Sequence, residues 1–250
     1  MVTAHFRFYA ELNDFLPPAR RQQEFSCVCA RAATSKHMIE ALGVPHTEVE
    51  LILVNGVSVG FEHILQQGDR VAVYPVFEAF DVTPLLQVRE QALRKTAFVA
   101  DAHLGGLARL LRMAGFDTLY SNAYQDSEIA AIGAQQHRIV LTRDRDLLKQ
   151  KIITHGCYLH ALKPQQQFME LLDRLDLRRS LRPFTLCVEC NASLRPIDKA
   201  QVLERLPPSV KLHYDSFTTC DVCGRVYWQG SHWARISAMM KMHGQPGGQA

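Results

Sequence analysis

Five acidic side chains in the middle of this 250-residue chain have the types and spacing of a metal-assisted reaction: Asp101, Asp126, Glu128, Asp144 and Asp146. Asp101 closes a short apolar run, and Leu104, Leu107, Leu110, Leu111 and Ala114 then repeat at helical spacing. Ile139, Val140 and Leu141 lead in the same way into Thr142, Asp144 and Asp146. Parallel α/β sheets place ligands outside the carboxyl ends of their strands, so acids at two such ends would face one crevice. Three or four carboxylates without histidine suit Mg²⁺ or Mn²⁺ better than zinc. An ion held there can bind phosphate oxygens, activate a bound water and stabilise a leaving oxygen. Phosphodiester hydrolysis then needs no serine or cysteine nucleophile.

Each acid also has a structural use. Asp126 and Asp144 stand where helix caps are wanted, and Arg143 and Arg145 offer surface ion pairs to Asp144 and Asp146. Asp101 is the exception, because a carboxylate ending an apolar strand needs compensation for its desolvation. His103 and His137 flank this set and read as structural.

A second constellation is made of thiols. Cys187, Cys190, Cys220 and Cys223 form two C-x-x-C pairs separated by 29 residues, with Gly224 after the second. That pattern predicts a closed structural zinc site of four thiolates. Cys27, Cys29 and Cys157 read as ordinary buried thiols. Near the second pair lie Tyr227, Trp228, His232 and Trp233 with Arg225 and Arg235, a set that either stacks on bases or forms the small core of a ribbon. Trp228 is the one expected in the core.

The elements that must position these groups alternate. Strand 96–101, helix 103–114, strand 117–120, helix 126–136, strand 138–142, a short helix, strand 157–162 and helix 164–175 predict a mostly parallel α/β sheet covered by helices. Ahead of it, residues 4–9 and 25–30 read as paired strands, and Thr34 or Ser35 as the cap of a helix ending at Gly43. A hairpin about Asn55-Gly56 and a strand beginning at Arg70 follow. This order resembles the β-grasp (ubiquitin-like) fold, in the branch that includes small sulfur carriers. Those carriers depend on a free diglycine end, whereas here the chain runs on through Glu78 to Asp81, which points instead to docking of a protein partner.

The resulting plan is a β-grasp domain over 1–81, a linker helix over 82–95, an α/β domain over 96–180, a zinc ribbon over 181–240 and a disordered tail over 241–250. No apolar run reaches the roughly 18–20 residues that a membrane helix needs. The N-terminus lacks the layout of a secretory signal, so a cytoplasmic protein with no membrane association is expected. Net charge is +3, but from Leu177 onward ten Lys/Arg face five acids, which suits a polyanionic partner.

The segments FVADAHLGGLARLLRMAGFDTLY, QDSE and RIVLTRDRDLL together resemble the PIN-like Mut-seven C-terminal RNase family, and CVEC…CDVCGRVYWQGSHW resembles the zinc ribbon that ends it. The resemblance implies a PIN-like fold, RNA as substrate and a metal-dependent acidic centre. That centre falls on Asp101, Asp144 and Asp146, with Asp126 or Glu128 as a further contributor. The chain departs from the family pattern at Gly106 and Leu110, where a basic residue and an aromatic are usual. An RNA- or ribosome-binding adaptor using the ribbon is the alternative. The appended domains argue against a single-domain toxin.

Overall fold

The computed structural model describes residues 1–75 and 96–230, together with 234 and 238. The linker helix expected over 82–95, the tail, and His232, Trp233 and Arg235 lie outside the described residues.

The N-terminal region is built on β1 (Val2–Phe8), β2 (Phe25–Cys29), α1 (Ser35–Ala41), β3 (Leu51–Val54), β4 (Val57–Val59) and β5 (Arg70–Tyr74). The sheet order is β2-β1-β5-β3-β4, with β1 and β5 parallel and the other neighbours antiparallel, a β-grasp arrangement. Alternation along β1 sends Ala4, Phe6 and Phe8 inward to meet Ile39 of the helix and Ile52, Val71 and Val73. Thr34 caps α1, its hydroxyl accepting from the His37 amide at 3.2 Å. Asn55 and Gly56, at φ 51° and 85°, make the tight turn that Asn-Gly predicts.

The central region runs β6 (Phe98–Ala100), α2 (Gly105–Met113), β7 (Thr118–Tyr120), α3 (Asp126–Gln136), β8 (Ile139–Thr142), α4 (Arg145–Leu148), β9 (Gly156–Tyr158) and α5 (Pro164–Arg174). β6 pairs parallel with β8, and β8 with β9. All residues of β6 and β8 are buried, as strands covered on both faces must be. His137 ends α3 in the left-handed conformation at φ 50°, a capping role that accounts for it without chemistry.

The C-terminal region is a three-stranded antiparallel sheet of β10 (Leu194–Ile197), β11 (Phe217–Cys220) and β12 (Val226–Trp228). Between β10 and β11 lie α6 (Lys199–Val202) and α7 (Pro208–His213). They supply Val202 and Val210, and the segment between them Leu206, to a small core with Phe217, against which Trp228 packs.

The chain divides into two compact units, residues 1–105 with 120–162 and residues 106–119 with 163–250. In the first, hydrogen bonds join the β-grasp region to the segment before β9, from His46 Nε2 to the Ile153 carbonyl (2.8 Å), and to β9 itself, from the Tyr158 amide to the buried Glu48 carboxylate. In the second, α2 meets α5 closely. A Cβ on Gly106 would lie 2.5 Å from Cγ of Pro164, which leaves little room for a side chain there. Leu110 is buried.

Gly115 ends α2 at φ +91°, and a Cβ there would stand 2.0 Å from the Arg182 carbonyl oxygen. That carbonyl belongs to the same residue whose amide bonds the Ala114 carbonyl at 2.8 Å. Gly115→Ala is therefore expected to destabilise by at least about 2 kcal/mol, combining strain at positive φ with backbone displacement. A urea midpoint unchanged from that of the parent protein would refute this.

Candidate active site and metal centre

Asp101 follows β6 directly and is 7% exposed. Its amide donates to the Leu141 carbonyl on β8 at 2.9 Å, so the parallel register places it beside the end of that strand. There Thr142 Oγ1 donates to Asp101 Oδ2 at 2.5 Å and accepts from the Asp144 amide at 2.9 Å. The amide N–H can only donate, so the hydroxyl accepts from it and gives its own proton to the carboxylate. One side chain thus ties the two acidic strand ends together.

Asp144 caps α4, its Oδ1 accepting from the Asp146 amide at 2.8 Å. The structural role that the sequence suggests for Asp144 is thus real, and it leaves the carboxylate exposed at the strand end. Asp146 points to solvent and pairs with Lys149 at 3.0 Å. Arg145 pairs with neither neighbour. Its guanidinium lies over the rings of Phe15 (5.0 Å) and Tyr158 (5.4 Å), where the cation meets aromatic faces. At α3, Glu128 Oε2 accepts from the Gln125 amide at 2.8 Å. Gln125, not Asp126, is the cap of that helix, and Asp126 is an exposed residue of its first turn.

Asp101 and Asp144 are therefore brought together through Thr142. Asp146 follows on the first turn of α4, while Asp126 and Glu128 open α3. Among the described residues, the only group of three or more metal-ligating side chains with donor atoms all within 4.8 Å is the cysteine cluster. No three of the described carboxylates close to that distance. Sequence reasoning places Thr142 at the strand end but gives it no role, although a threonine ending an apolar strand two residues before an aspartate is a usable signal.

The cysteine cluster is built from two similar turns. Sγ of Cys187 lies 3.5 Å from that of Cys223, and Sγ of Cys190 lies 3.4 Å from that of Cys220. These separations exceed a disulfide bond of about 2.05 Å and approach the ~3.8 Å edge of a tetrahedron with ~2.3 Å metal–sulfur bonds. The cluster can hold a metal such as zinc. Each C-x-x-C is followed by a residue at positive φ, Gly224 (71°) and Asn191 (66°), whose amides donate to the Cys220 and Cys187 carbonyls. Gly224 is legible as a turn former, whereas Asn191 in the same position after the first pair carries a weaker signal.

Tyr227 Oη stands 3.1 Å from Cys187 Sγ. Burial opposes ionisation of Cys187, but that hydroxyl and the amides of Cys190 and Glu189 outweigh it, bringing the thiol down to about 6. Cys190 is pushed up to about 12, by burial first and then by the neighbouring sulfurs. For Cys223 the Arg225 amide favours the thiolate, but burial and the adjacent thiols prevail and raise it. Crowded thiolates repel one another, and a cation relieves that repulsion. Metal uptake must then displace protons, so affinity falls as pH is lowered.

The first turn is locked to the segment after α2. Arg112, 5% exposed, donates from Nε to the Thr118 carbonyl (2.9 Å) and from Nη1 to the carbonyls of Val188 (3.1 Å) and Glu189 (2.7 Å). Asn191 accepts from the Thr118 amide at 3.0 Å and donates to Asp117 at 2.7 Å.

No helix among the described residues is long and apolar enough to cross a membrane. No curated protein matches the chain. Two solved structures align with the N-terminal region, each with a TM-score of 0.25. A putative molybdopterin converting factor, subunit 1, from Pyrococcus furiosus is 20% identical, covering 30% of this chain and 98% of its own. SAMP1 from Haloferax volcanii is 16% identical, covering 31% of this chain and 99% of its own. The Mut7-C ubiquitin model matches residues 1–81, and the Mut7-C RNAse domain model matches residues 96–240, more than half of the chain. With a β-grasp region, parallel strands ending in acids and a four-cysteine cluster in that order, the chain belongs to the Mut7-C RNAse domain family.

Proposed function

We infer that the protein is a metal-dependent ribonuclease that hydrolyses RNA phosphodiesters at the acidic strand ends. The observation that carries this reading is the Asp101–Thr142–Asp144 link, which sets a buried carboxylate beside an exposed one at neighbouring parallel strand ends. Asp101, Asp144 and Asp146 would hold Mg²⁺ or Mn²⁺, with Asp126 or Glu128 contributing from α3. The ion would polarise the phosphate and activate water. Thr142 orients the Asp101 carboxylate and, through the Asp144 amide, the loop that carries the second acid. Zinc at Cys187, Cys190, Cys220 and Cys223 has a structural role. The β-grasp domain over 1–81 serves a protein partner, and the setting is cytoplasmic.

A second reading, an RNA- or ribosome-binding adaptor, is favoured by one feature: the described carboxylates stand further apart than a ready chelate. Divalent-ion titration separates the two. With zinc-loaded protein and labelled single-stranded RNA, cleavage is expected to be absent without added metal and to saturate with Mn²⁺ or Mg²⁺. RNA bound without added metal but never cut at any metal concentration would establish the adaptor instead.

A further inference from the structure

The second compact unit contains a cleft of about 440 Å³ between α2 and the cysteine-bearing turns. This lies within the roughly 300–1,000 Å³ usual for small-ligand sites. Its lining includes Met113, Leu186, Tyr227, Trp228, Arg109 and Arg225. As neighbours on β12, Tyr227 and Trp228 project to opposite faces of the sheet, Tyr227 to Cys187 and Trp228 to the ribbon core, so Tyr227 supplies the stacking ring and Trp228 borders the cleft. Both arginines are exposed, Arg109 with 64% of its side chain in solvent. Arg109 faces Glu189 at 3.6 Å, a surface pair too weak to resist a phosphate.

The aromatic side is fixed in advance. Tyr227 is held through its hydroxyl by Cys187, and Trp228 is braced by the ribbon core. A preorganised ring with guanidinium groups at the margin matches one nucleotide: an apolar flat face for the base and cations for its flanking phosphates. The concavity decides which nucleic acid fits. A base in a duplex is stacked and paired, whereas an unpaired base can be turned out into a pocket.

We propose that this cleft binds one unpaired nucleotide of single-stranded RNA, its base against Tyr227 beside Trp228 and its phosphates on Arg109 and Arg225. The proposal rests on the ribonuclease-type reading for its ligand class, but the cleft has its own residues and its own readout.

The test uses full-length, zinc-loaded protein carrying Trp233→Phe, so that Trp228 is the sole tryptophan. Hexauridylate and hexaadenylate are titrated without Mg²⁺ or Mn²⁺, so binding is read apart from cleavage. Saturable quenching of Trp228 emission is expected, and a blunt RNA duplex is expected to produce none. Arg109→Glu with Arg225→Glu should weaken binding at least about tenfold and lower the salt slope by about one for each arginine–phosphate pair removed. Zinc content and circular dichroism should be retained. If charge reversal disturbs either, Arg109→Gln with Arg225→Gln takes its place.

No binding, binding without a change in Trp228 emission, or an unchanged affinity and salt slope in the double variant overturns the proposal. Mn²⁺-dependent cleavage is measured separately. Its absence with normal quenching strikes only the ribonuclease reading, and normal cleavage without quenching strikes only the cleft.

Discussion

Asp101→Asn is expected to cut Mn²⁺-supported RNA cleavage by more than about a hundredfold, beyond the roughly 10–100-fold that changes to groups merely supporting a metal's ligands commonly cost. The substitution is nearly isosteric, and an asparagine carbonyl can still accept the Thr142 hydroxyl proton. What disappears is a negative charge on a group only 7% exposed, where water does little to screen it from a cation. Binding of the divalent ion should weaken along with the rate. The unfolding midpoint should remain within a few degrees of the parent, because the backbone bond from Asp101 to Leu141 is untouched. Glu128→Gln makes a useful comparison, since Glu128 already spends one oxygen on the Gln125 amide and should lose less. Undiminished cleavage by Asp101→Asn would remove this residue from the chemistry. A loss of cleavage accompanied by unfolding would make it a structural acid.

Much of this arrangement is legible in the sequence because local chemistry and global fold agree. The Asn55-Gly56 turn, the Thr34 cap and the helical leucine spacing after Asp101 all act within a few residues of themselves. The two strand ends are readable for the same reason: each apolar run stops at its acids. Interactions between residues far apart in sequence leave weaker marks. Nothing around Glu48 predicts that its buried carboxylate receives the amide of Tyr158, 110 residues away. Arg145 looks like an ion-pair partner from its neighbours, but Phe15 and Tyr158 offer its guanidinium two rings. At Gly106 the room for a side chain is limited by Pro164, a residue far along the chain. Arg112 is the largest omission, since an arginine on a helix reads as solvated until the carbonyls that bury it are known.

Those carbonyls make loss of the metal the second large effect. Cys187 is fully buried, and the turn it begins presents the Val188 and Glu189 carbonyls to Arg112. Replacing Cys187 by serine removes a strong ligand and loosens that turn. Arg112 then loses two of its acceptors, which is destabilising for a buried guanidinium. Asn191, on the same turn, would release the Thr118 amide and Asp117 together. A metal held there would therefore support the segment after α2 as well as the ribbon sheet. Structural zinc sites contribute on the order of 10 kcal/mol in small peptides, and a domain of this size shifts by about 2–4 °C per kcal/mol. Cys187→Ser, or exhaustive chelation, is expected to lower the unfolding midpoint by more than about 10 °C. Amide exchange should accelerate over 108–119 as well as over 187–228. Re-addition of zinc should reverse both changes in the chelated protein but not in the variant. If exchange rises only in the ribbon while 108–119 stays protected, Arg112 does not transmit the loss, and the cysteine site stabilises the ribbon alone.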